Sequence, residues 1–211
     1  MGRTGEPTPI GVLISGTGSN LRALFAAIEH DPAFGAKIVV VGSDRADAQG
    51  LTAASQRGVA TFAHELGAFA DRHTWEEAMV ASLQAHNPQV IVLAGFMRLV
   101  SGAFLANWPQ SVVNTHPSLL PAFRGAHAIE DAFAYGARVT GCTVHFVDEE
   151  LDHGPIIAQQ AVIIAASDDV ASVRRRIQAV EHELLPRCVS LLCRGELTID
   201  GRHVRSRKDH V

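Results

Sequence analysis

The chain has few cysteines, few charged residues and no long apolar run. Its 211 residues include three cysteines, an odd number that is too small for a disulfide framework. Charged residues make up 19% and the formal net charge is −4, which disfavours binding to nucleic acid through a general basic surface. No apolar stretch approaches the roughly 18 residues needed to span a bilayer, and the polar segment 1–9 resembles neither a signal peptide nor an anchor. We therefore expect a cytoplasmic protein that binds neither nucleic acid nor membrane.

No repeat, low-complexity tract or Pro/Gly/Ser-rich linker divides the chain, so we expect one domain across residues 1–211. In the first half, short apolar runs alternate with amphipathic helical patterns. This alternation is typical of an α/β fold, in which a mostly parallel twisted sheet carries helices on both faces. The predicted strands are 10–15, 37–42, 59–62, 90–94 and 112–114, and the predicted helices follow residue 21 and cover 48–57 and 71–86.

The second half has a different pattern. Residues 140–147 and 155–164 are predicted to form two antiparallel strands joined by an acidic loop. A long helix is predicted over 170–193, and we expect it to be kinked or broken near Pro186. Asp200 and Gly201 lie between short apolar pairs, which predicts a hairpin over 197–204.

A glycine-containing loop, Ser15-Gly16-Thr17-Gly18-Ser19-Asn20, follows the first predicted strand and opens the first helix. Such a loop lets the backbone approach an anion closely, and the helix N-terminus points amide N–H groups at it. The dinucleotide-binding fingerprint fails because Leu21 stands where a small residue is needed. The loop therefore fits a single terminal phosphate better than a pyrophosphate. The alternative is that Ser19 or Asn20 only caps the helix after a tight turn.

Three polar residues in two other segments are candidates for catalysis. Asn114 and His116 close a buried strand and are two residues apart, so they lean to one face at the carboxyl edge of the sheet. Pro117 stiffens the loop after this strand. In the acidic loop, Asp152 is the best placed of four carboxylates because Gly154-Pro155 fixes the exit of the loop.

An Asn, a His and an Asp are sufficient for acyl transfer to an amine without a covalent enzyme intermediate. Asn114 can donate an amide N–H to the oxyanion, and protonated His116 can donate as well or act as general acid. Asp152 would raise the histidine pKa by charge attraction and could accept the proton of the amine through water. A serine in a nucleophile elbow is absent, since the chain has no G-x-S-x-G motif.

The chain resembles the phosphoribosylglycinamide formyltransferases of the formyltransferase family over nearly its whole length. Several motifs in the order of the family carry the resemblance: Ile14-Ser15-Gly16-Thr17-Gly18-Ser19-Asn20-Leu21, Ala94-Gly95-Phe96-Met97-Arg98-Leu99-Val100-Ser101, Asn114-Thr115-His116-Pro117-Ser118-Leu119-Leu120-Pro121, Val144-His145-Phe146-Val147, Glu150-Leu151-Asp152-His153-Gly154-Pro155 and Glu181-His182. The resemblance implies a Rossmann-like formyltransferase fold. It also implies transfer of a formyl group from 10-formyltetrahydrofolate, as co-substrate, to the amine of glycinamide ribonucleotide in purine synthesis.

The resemblance also implies roles for individual residues. Asn114, His116 and Asp152 correspond to the catalytic trio, with His116 as proton donor and Asp152 raising its pKa. The ribonucleotide-binding positions are Gly18, Ser19, Asn20 and Glu181, and the folate-binding positions are Arg72, Met97, Arg98, Leu99, Val100 and Asn114. The N-terminal half would then bind the nucleotide, while the C-terminal half would supply the folate-binding loop and the long helix. We expect a monomer or a homodimer.

Departures from the family pattern leave other functions open. The segment 123–126 is more similar to formyltetrahydrofolate deformylase and methionyl-tRNA formyltransferase, and His153 stands where Gly is frequent. The nearest alternative is the deformylase, in which water attacks in place of the amine. A non-catalytic nucleotide-binding module and an NAD-dependent oxidoreductase are further alternatives, although the broken fingerprint counts against the latter. The eleven histidines show no H-E-x-x-H spacing, so we expect no catalytic metal.

Overall fold

The computed structural model describes residues 6–207, which exclude most of the polar N-terminal segment. In this part of the chain one mixed sheet has the strand order β3-β2-β1-β4-β5-β6-β7-β9-β8. Its strands are β1 (Thr8–Ile14), β2 (Ala36–Ser43), β3 (Ala60–Ala63), β4 (Val90–Leu93), β5 (Val112–His116), β6 (Val139–Phe146), β7 (Ile156–Ile163), β8 (Leu197–Asp200) and β9 (His203–Ser206). Strands β1 to β5 are parallel, whereas β6 is antiparallel to both β5 and β7. The predicted fold class is confirmed.

The predicted helices are present with small changes at their ends. The helices are α1 (Ser19–His30), α2 (Gln49–Ser55), α3 (Arg72–Gln84), α4 (Gly102–Leu105), α5 (Ala128–Tyr135) and α6 (Val170–Cys193), with a short 3₁₀ helix at Leu66–Ala68. The first turns of α3 and α6 are closed by capping boxes, in which Asp71 and Asp169 accept N–H groups three residues on. The sequence pattern does not predict helices α4 and α5, which have four and eight residues.

The predicted break near Pro186 is wrong, because α6 is one continuous helix from Val170 to Cys193. A proline removes one intrahelical hydrogen bond and crowds the preceding turn. Leu185 and Val189, on either side of it, are fully buried against the sheet. Burial of this helix face offsets the local cost, so tertiary packing overrides the sequence signal.

The core consists of two layers, one on each face of the sheet. Along β1, Ile10, Val12 and Ile14 pack into the layer that also holds α1 and α6. The intervening Leu13 packs with α3 on the opposite face. The alternation shows why these strands have uninterrupted apolar sequences: both of their faces are covered by helices.

The change from parallel to antiparallel strands lies at β5. The carboxyl ends of β1, β4 and β5 meet at one edge of the sheet, where the loops after residues 14, 93 and 116 emerge. Strand β5 extends two residues beyond its predicted end, through His116. Open α/β sheets bind ligands at such an edge, and the residues predicted to be functional are found there.

No helix in residues 6–207 is long and apolar enough to cross a membrane. Cys142, Cys188 and Cys193 are buried, and no disulfide joins them. Burial raises the pKa of the Cys142 and Cys188 thiols to about 12, so both stay protonated.

Candidate active site

The loop after β1 presents an open helix N-terminus. Gly18 is the N-cap of α1 in the left-handed region, with φ 70°, and no side chain caps this helix. A Cβ on Gly18 would lie 2.7 Å from the Cα of Gly50, so no larger residue fits. The alternative in which Ser19 or Asn20 caps the helix is therefore wrong, and the first-turn N–H groups have no side-chain acceptor.

A cavity of about 290 Å³ lies in front of this loop. It is lined by Ser15, Gly16, Thr17, Gly18, Ser19, Asn20, Ala94, Gly95, Met97, Thr115, Pro117, Ile129, Arg174, Ile177, Gln178 and Glu181. The predicted ribonucleotide-binding residues thus line one space, although they come from opposite ends of the chain.

Two buried polar side chains form the inner wall of the cavity. Asn20 and Glu181 are 6% and 8% exposed, and the amide of Asn20 donates to Oε2 of Glu181 at 3.5 Å. Burial raises the pKa of the Glu181 carboxyl to about 7, against contributions from Asn20 and Arg174 that lower it. The Oδ1 atom of Asn20 is buried without a hydrogen-bond partner. A ligand donor would satisfy it, as buried polar atoms generally require.

His116 and Asp152 meet at the carboxyl end of β5. The Nδ1 atom of His116 lies 3.3 Å from Oδ2 of Asp152, and both side chains are at most 9% exposed. The Nε2–H of the imidazole donates to the carbonyl oxygen of Phe123 at 2.8 Å. The N–H of Gly125 donates to the same Asp152 oxygen at 2.8 Å. Segment 123–125 therefore holds both groups in place.

Asn114 is oriented by His145, which lies opposite it in the β5–β6 register. The Nδ1–H of His145 donates to the carbonyl oxygen of Phe146 at 2.8 Å, so Nε2 is free to accept. The amide of Asn114 donates to this Nε2 at 3.2 Å. Burial lowers the pKa of His145, which keeps the ring in this neutral form. One amide N–H of Asn114 is thereby fixed, and the second remains for a ligand oxygen.

The acidic loop between β6 and β7 presents one of its carboxylates to the site. Asp152 adopts the left-handed region with φ 47°, which Asp tolerates better than most residues. Its side chain is 9% exposed, whereas that of Glu150 is 71% exposed. A Cβ on Gly154 would lie 1.9 Å from the oxygen of Phe146, so glycine is required where the loop rejoins the sheet.

The segment 97–100 lies beside the cavity, and both of the cationic residues predicted to bind folate, Arg72 and Arg98, are engaged by protein groups. Arg72 donates to the carbonyl oxygen of Leu99. Arg98 donates through Nε to the buried Asp44 at 2.7 Å, so it is not a free surface charge. Met97 and Leu99 are 72% and 58% exposed, while Val100 is buried. Contacts of these residues with a folate stay a prediction.

Several groups at the site carry little or no signal in the sequence. The sequence alone does not distinguish His145 from a satisfied core histidine, whereas the structure shows that it positions Asn114. The Phe123 carbonyl and the Gly125 amide carry no side-chain signal. Arg174 lines the cavity from an exposed run of three arginines that resembles an ordinary solvated helix face.

An α/β sheet whose carboxyl edge joins a cavity with an open helix N-terminus to an Asn–His–Asp cluster suits an enzyme of group transfer. The chain belongs to the formyl transferase family, whose model matches residues 9–189. A phosphoribosylglycinamide formyltransferase of Mycobacterium tuberculosis is 42% identical over 196 residues, which are 93% of this chain and 90% of that protein.

Solved structures agree with this assignment. The chain is similar to glycinamide ribonucleotide transformylase 1 of Symbiobacterium toebii, with a TM-score of 0.92, 43% identity and coverage of 96% and 95% of the two chains. It is also similar to the phosphoribosylglycinamide formyltransferase of Coxiella burnetii, with a TM-score of 0.89, 37% identity and coverage of 95% and 94%.

Proposed function

We propose that this chain transfers a formyl group from 10-formyltetrahydrofolate to the amine of glycinamide ribonucleotide, a step of purine synthesis. The observation that carries the proposal is the 3.3 Å approach of His116 to Asp152 beside Asn114, next to a cavity built around an open helix N-terminus. Relatives that carry the name of this activity match nearly the full length of the chain.

The cavity supports a ribonucleotide as the acceptor substrate. The uncapped first turn of α1 offers N–H groups to a phosphate, and Gly18 lets the phosphate approach the backbone. Glu181 and the unpaired Oδ1 of Asn20 offer acceptors for hydroxyl or amine hydrogens. Thr115 and Pro117 line the same space, and they alternate along the chain with Asn114 and His116. The amine of the ribonucleotide is thereby directed towards the end of β5.

The chemistry follows from the groups at that end. The neutral amine attacks the formyl carbon, and a C–N bond forms while the carbonyl electron pair moves to oxygen. Asn114 donates its second amide N–H to this oxyanion. His116 donates from Nε2, the nitrogen that otherwise bonds the carbonyl oxygen of Phe123. The bond from the carbon to N10 of the folate then breaks. As it breaks, the electron pair on the oxyanion re-forms the carbonyl, and N10 keeps the bonding pair and takes a proton from His116. The amine proton leaves through water towards Asp152, and its transfer to His116 restores the imidazole for the next turnover.

Exposed apolar side chains support a folate on the adjoining surface. Met97, Leu99 and Leu151 are large hydrophobic residues that are 72%, 58% and 45% exposed. A planar pterin would cover such residues, since apolar area removed from water stabilises a complex. Arg72 holds the carbonyl of Leu99 and so fixes the shape of this segment.

The test is to mix the protein with 10-formyltetrahydrofolate, with and without glycinamide ribonucleotide, and to follow the folate absorbance. Turnover only with the ribonucleotide supports the proposal. Turnover without the ribonucleotide would identify a deformylase. No turnover in either mixture would contradict an enzymatic role and favour a non-catalytic nucleotide-binding module. His116→Ala should reduce turnover by at least about 100-fold with ribonucleotide binding retained. The matched control is His73→Ala, at an exposed histidine on α3.

A further inference from the structure

The ribonucleotide cavity contains one cationic side chain besides the backbone donors of α1. Arg174, on α6, is the only Lys or Arg among the described residues that line the cavity. It belongs to the run Arg174-Arg175-Arg176, whose members have different surroundings. Arg176 is held by Asp168 through two hydrogen bonds, and Arg175 lies outside the cavity lining. Arg174 alone of the three is directed to the cavity.

Arg174 is held by a partner that a phosphate can replace. Its Nη2 donates to Oε1 of Glu130, in the first turn of α5, and the two side chains are 45% and 44% exposed. Ile129, the neighbour of Glu130, lines the cavity. An ion pair exposed to this extent is weakly held, because water screens both charges. Exchange of Glu130 for a more strongly charged acceptor therefore costs little.

We propose that Arg174 binds the phosphate of the ribonucleotide and that Glu130 competes with this phosphate for the guanidinium. The inference rests on the proposed function for the identity of the ligand. A phosphate monoester carries close to two negative charges, whereas a helix N-terminus offers about half a positive charge. The cavity also contains Glu181, which becomes negative as its proton leaves. One arginine supplies a further full positive charge and a fork of donors that matches phosphate oxygens.

The same assignment explains how the cavity discriminates among ligands. A dephosphorylated glycinamide riboside fills the ribose and amine positions but offers nothing to Arg174 or to the first turn of α1. Arg174 thus acts as a specificity-determining residue, and it should affect binding of the ribonucleotide rather than the rate of formyl transfer.

The test measures binding of glycinamide ribonucleotide, of its riboside and of ribose 5-phosphate by titration calorimetry, together with kcat and KM. Arg174→Gln should weaken binding of both phosphorylated ligands by about 10- to 100-fold, with riboside binding unchanged. The KM for the ribonucleotide should rise while kcat stays within about threefold. Glu130→Gln should tighten binding of the phosphorylated ligands, and Arg174→Lys should lie between wild type and Arg174→Gln.

Arg175→Gln is the matched control, since it removes the same charge one residue away, and it should change affinity less than twofold. Equal losses for riboside and ribonucleotide in Arg174→Gln, or no loss, would overturn the proposal. If Glu130→Gln binds the phosphorylated ligands no more tightly than wild type does, Glu130 does not compete with the phosphate for Arg174. If the wild type binds ribose 5-phosphate through Arg174 but transfers no formyl group, the proposed function fails and the phosphate site stands. If it binds no phosphorylated ligand, the site itself is refuted.

Discussion

Replacement of Glu181 by glutamine should stabilise the protein at neutral and alkaline pH. The Glu181 side chain is buried on α6, and burial raises the pKa of its carboxyl from 4.5 to about 7. The folded protein therefore binds a proton more tightly than the unfolded chain does. The contribution of this tighter proton binding to the free energy of unfolding is complete below pH 4.5, and it is lost as the pH rises through 7.

The magnitude follows from the size of the pKa shift. A rise from 4.5 to about 7 corresponds to about 3 kcal/mol of unfolding free energy, at about 1.4 kcal/mol per pKa unit. Glutamine has nearly the same shape, can still accept the hydrogen bond from Asn20 and carries no charge to desolvate. The stability of Glu181→Gln relative to wild type should therefore increase by about 3 kcal/mol between about pH 4.5 and about pH 8. For a chain of this length that is roughly 10 °C in Tm.

The assay is urea unfolding of wild type and Glu181→Gln at several pH values from about 4.5 to about 8.5, followed by circular dichroism. The difference between the two proteins isolates this one group, because the other titrations are common to both. Glu183→Gln, at an exposed glutamate on the same helix, is the control and should show no such trend. A difference between wild type and Glu181→Gln that stays constant over this range would refute the reasoning.

Three further changes test the rest of the site. Asp152→Asn keeps the shape of the side chain but removes the charge 3.3 Å from His116, so kcat should fall by about 100-fold in steady-state assays; unchanged turnover would contradict the coupling. His145→Leu leaves the amide of Asn114 without its acceptor, so kcat should fall about tenfold with the ribonucleotide KM retained, and a changed KM alone would exclude the positioning role. Gly154→Ala places a Cβ 1.9 Å from a backbone oxygen and should cost at least about 2 kcal/mol in urea unfolding; a loss below about 0.5 kcal/mol would show that the loop can shift.

The sequence predicted the elements that carry long periodic signals and the residues that have distinctive side chains. Strands β1 to β7, the hairpin of β8 and β9 and helices α1, α2, α3 and α6 all lie where the hydrophobic patterns indicate them. His116 and Asp152, which the sequence singled out by their positions in the chain, lie 3.3 Å apart, and their catalytic roles stay predictions. The single-domain organisation, the cytoplasmic location and the oligomeric state stay predictions.

The features that the sequence could not show depend on backbone atoms and on contacts between distant elements. The carbonyl of Phe123 and the amide of Gly125 hold His116 and Asp152, and every residue has such groups, so no residue type marks them. Arg98 finds a buried partner in Asp44, which is 54 residues away, so only the fold brings the two charges together. The continuity of α6 through Pro186 likewise depends on burial that a local pattern does not contain.

The change of strand direction at β5 connects the fold to the chemistry. Because β6 runs antiparallel to β5, His145 lies directly opposite Asn114. Burial lowers the pKa of His145, and its Nδ1–H is taken by the carbonyl of Phe146, so its other nitrogen can only accept. That acceptor determines which way the amide of Asn114 faces and leaves one N–H for a ligand oxygen. The antiparallel half of the sheet therefore orients the candidate catalytic residue Asn114 as well as extending the fold.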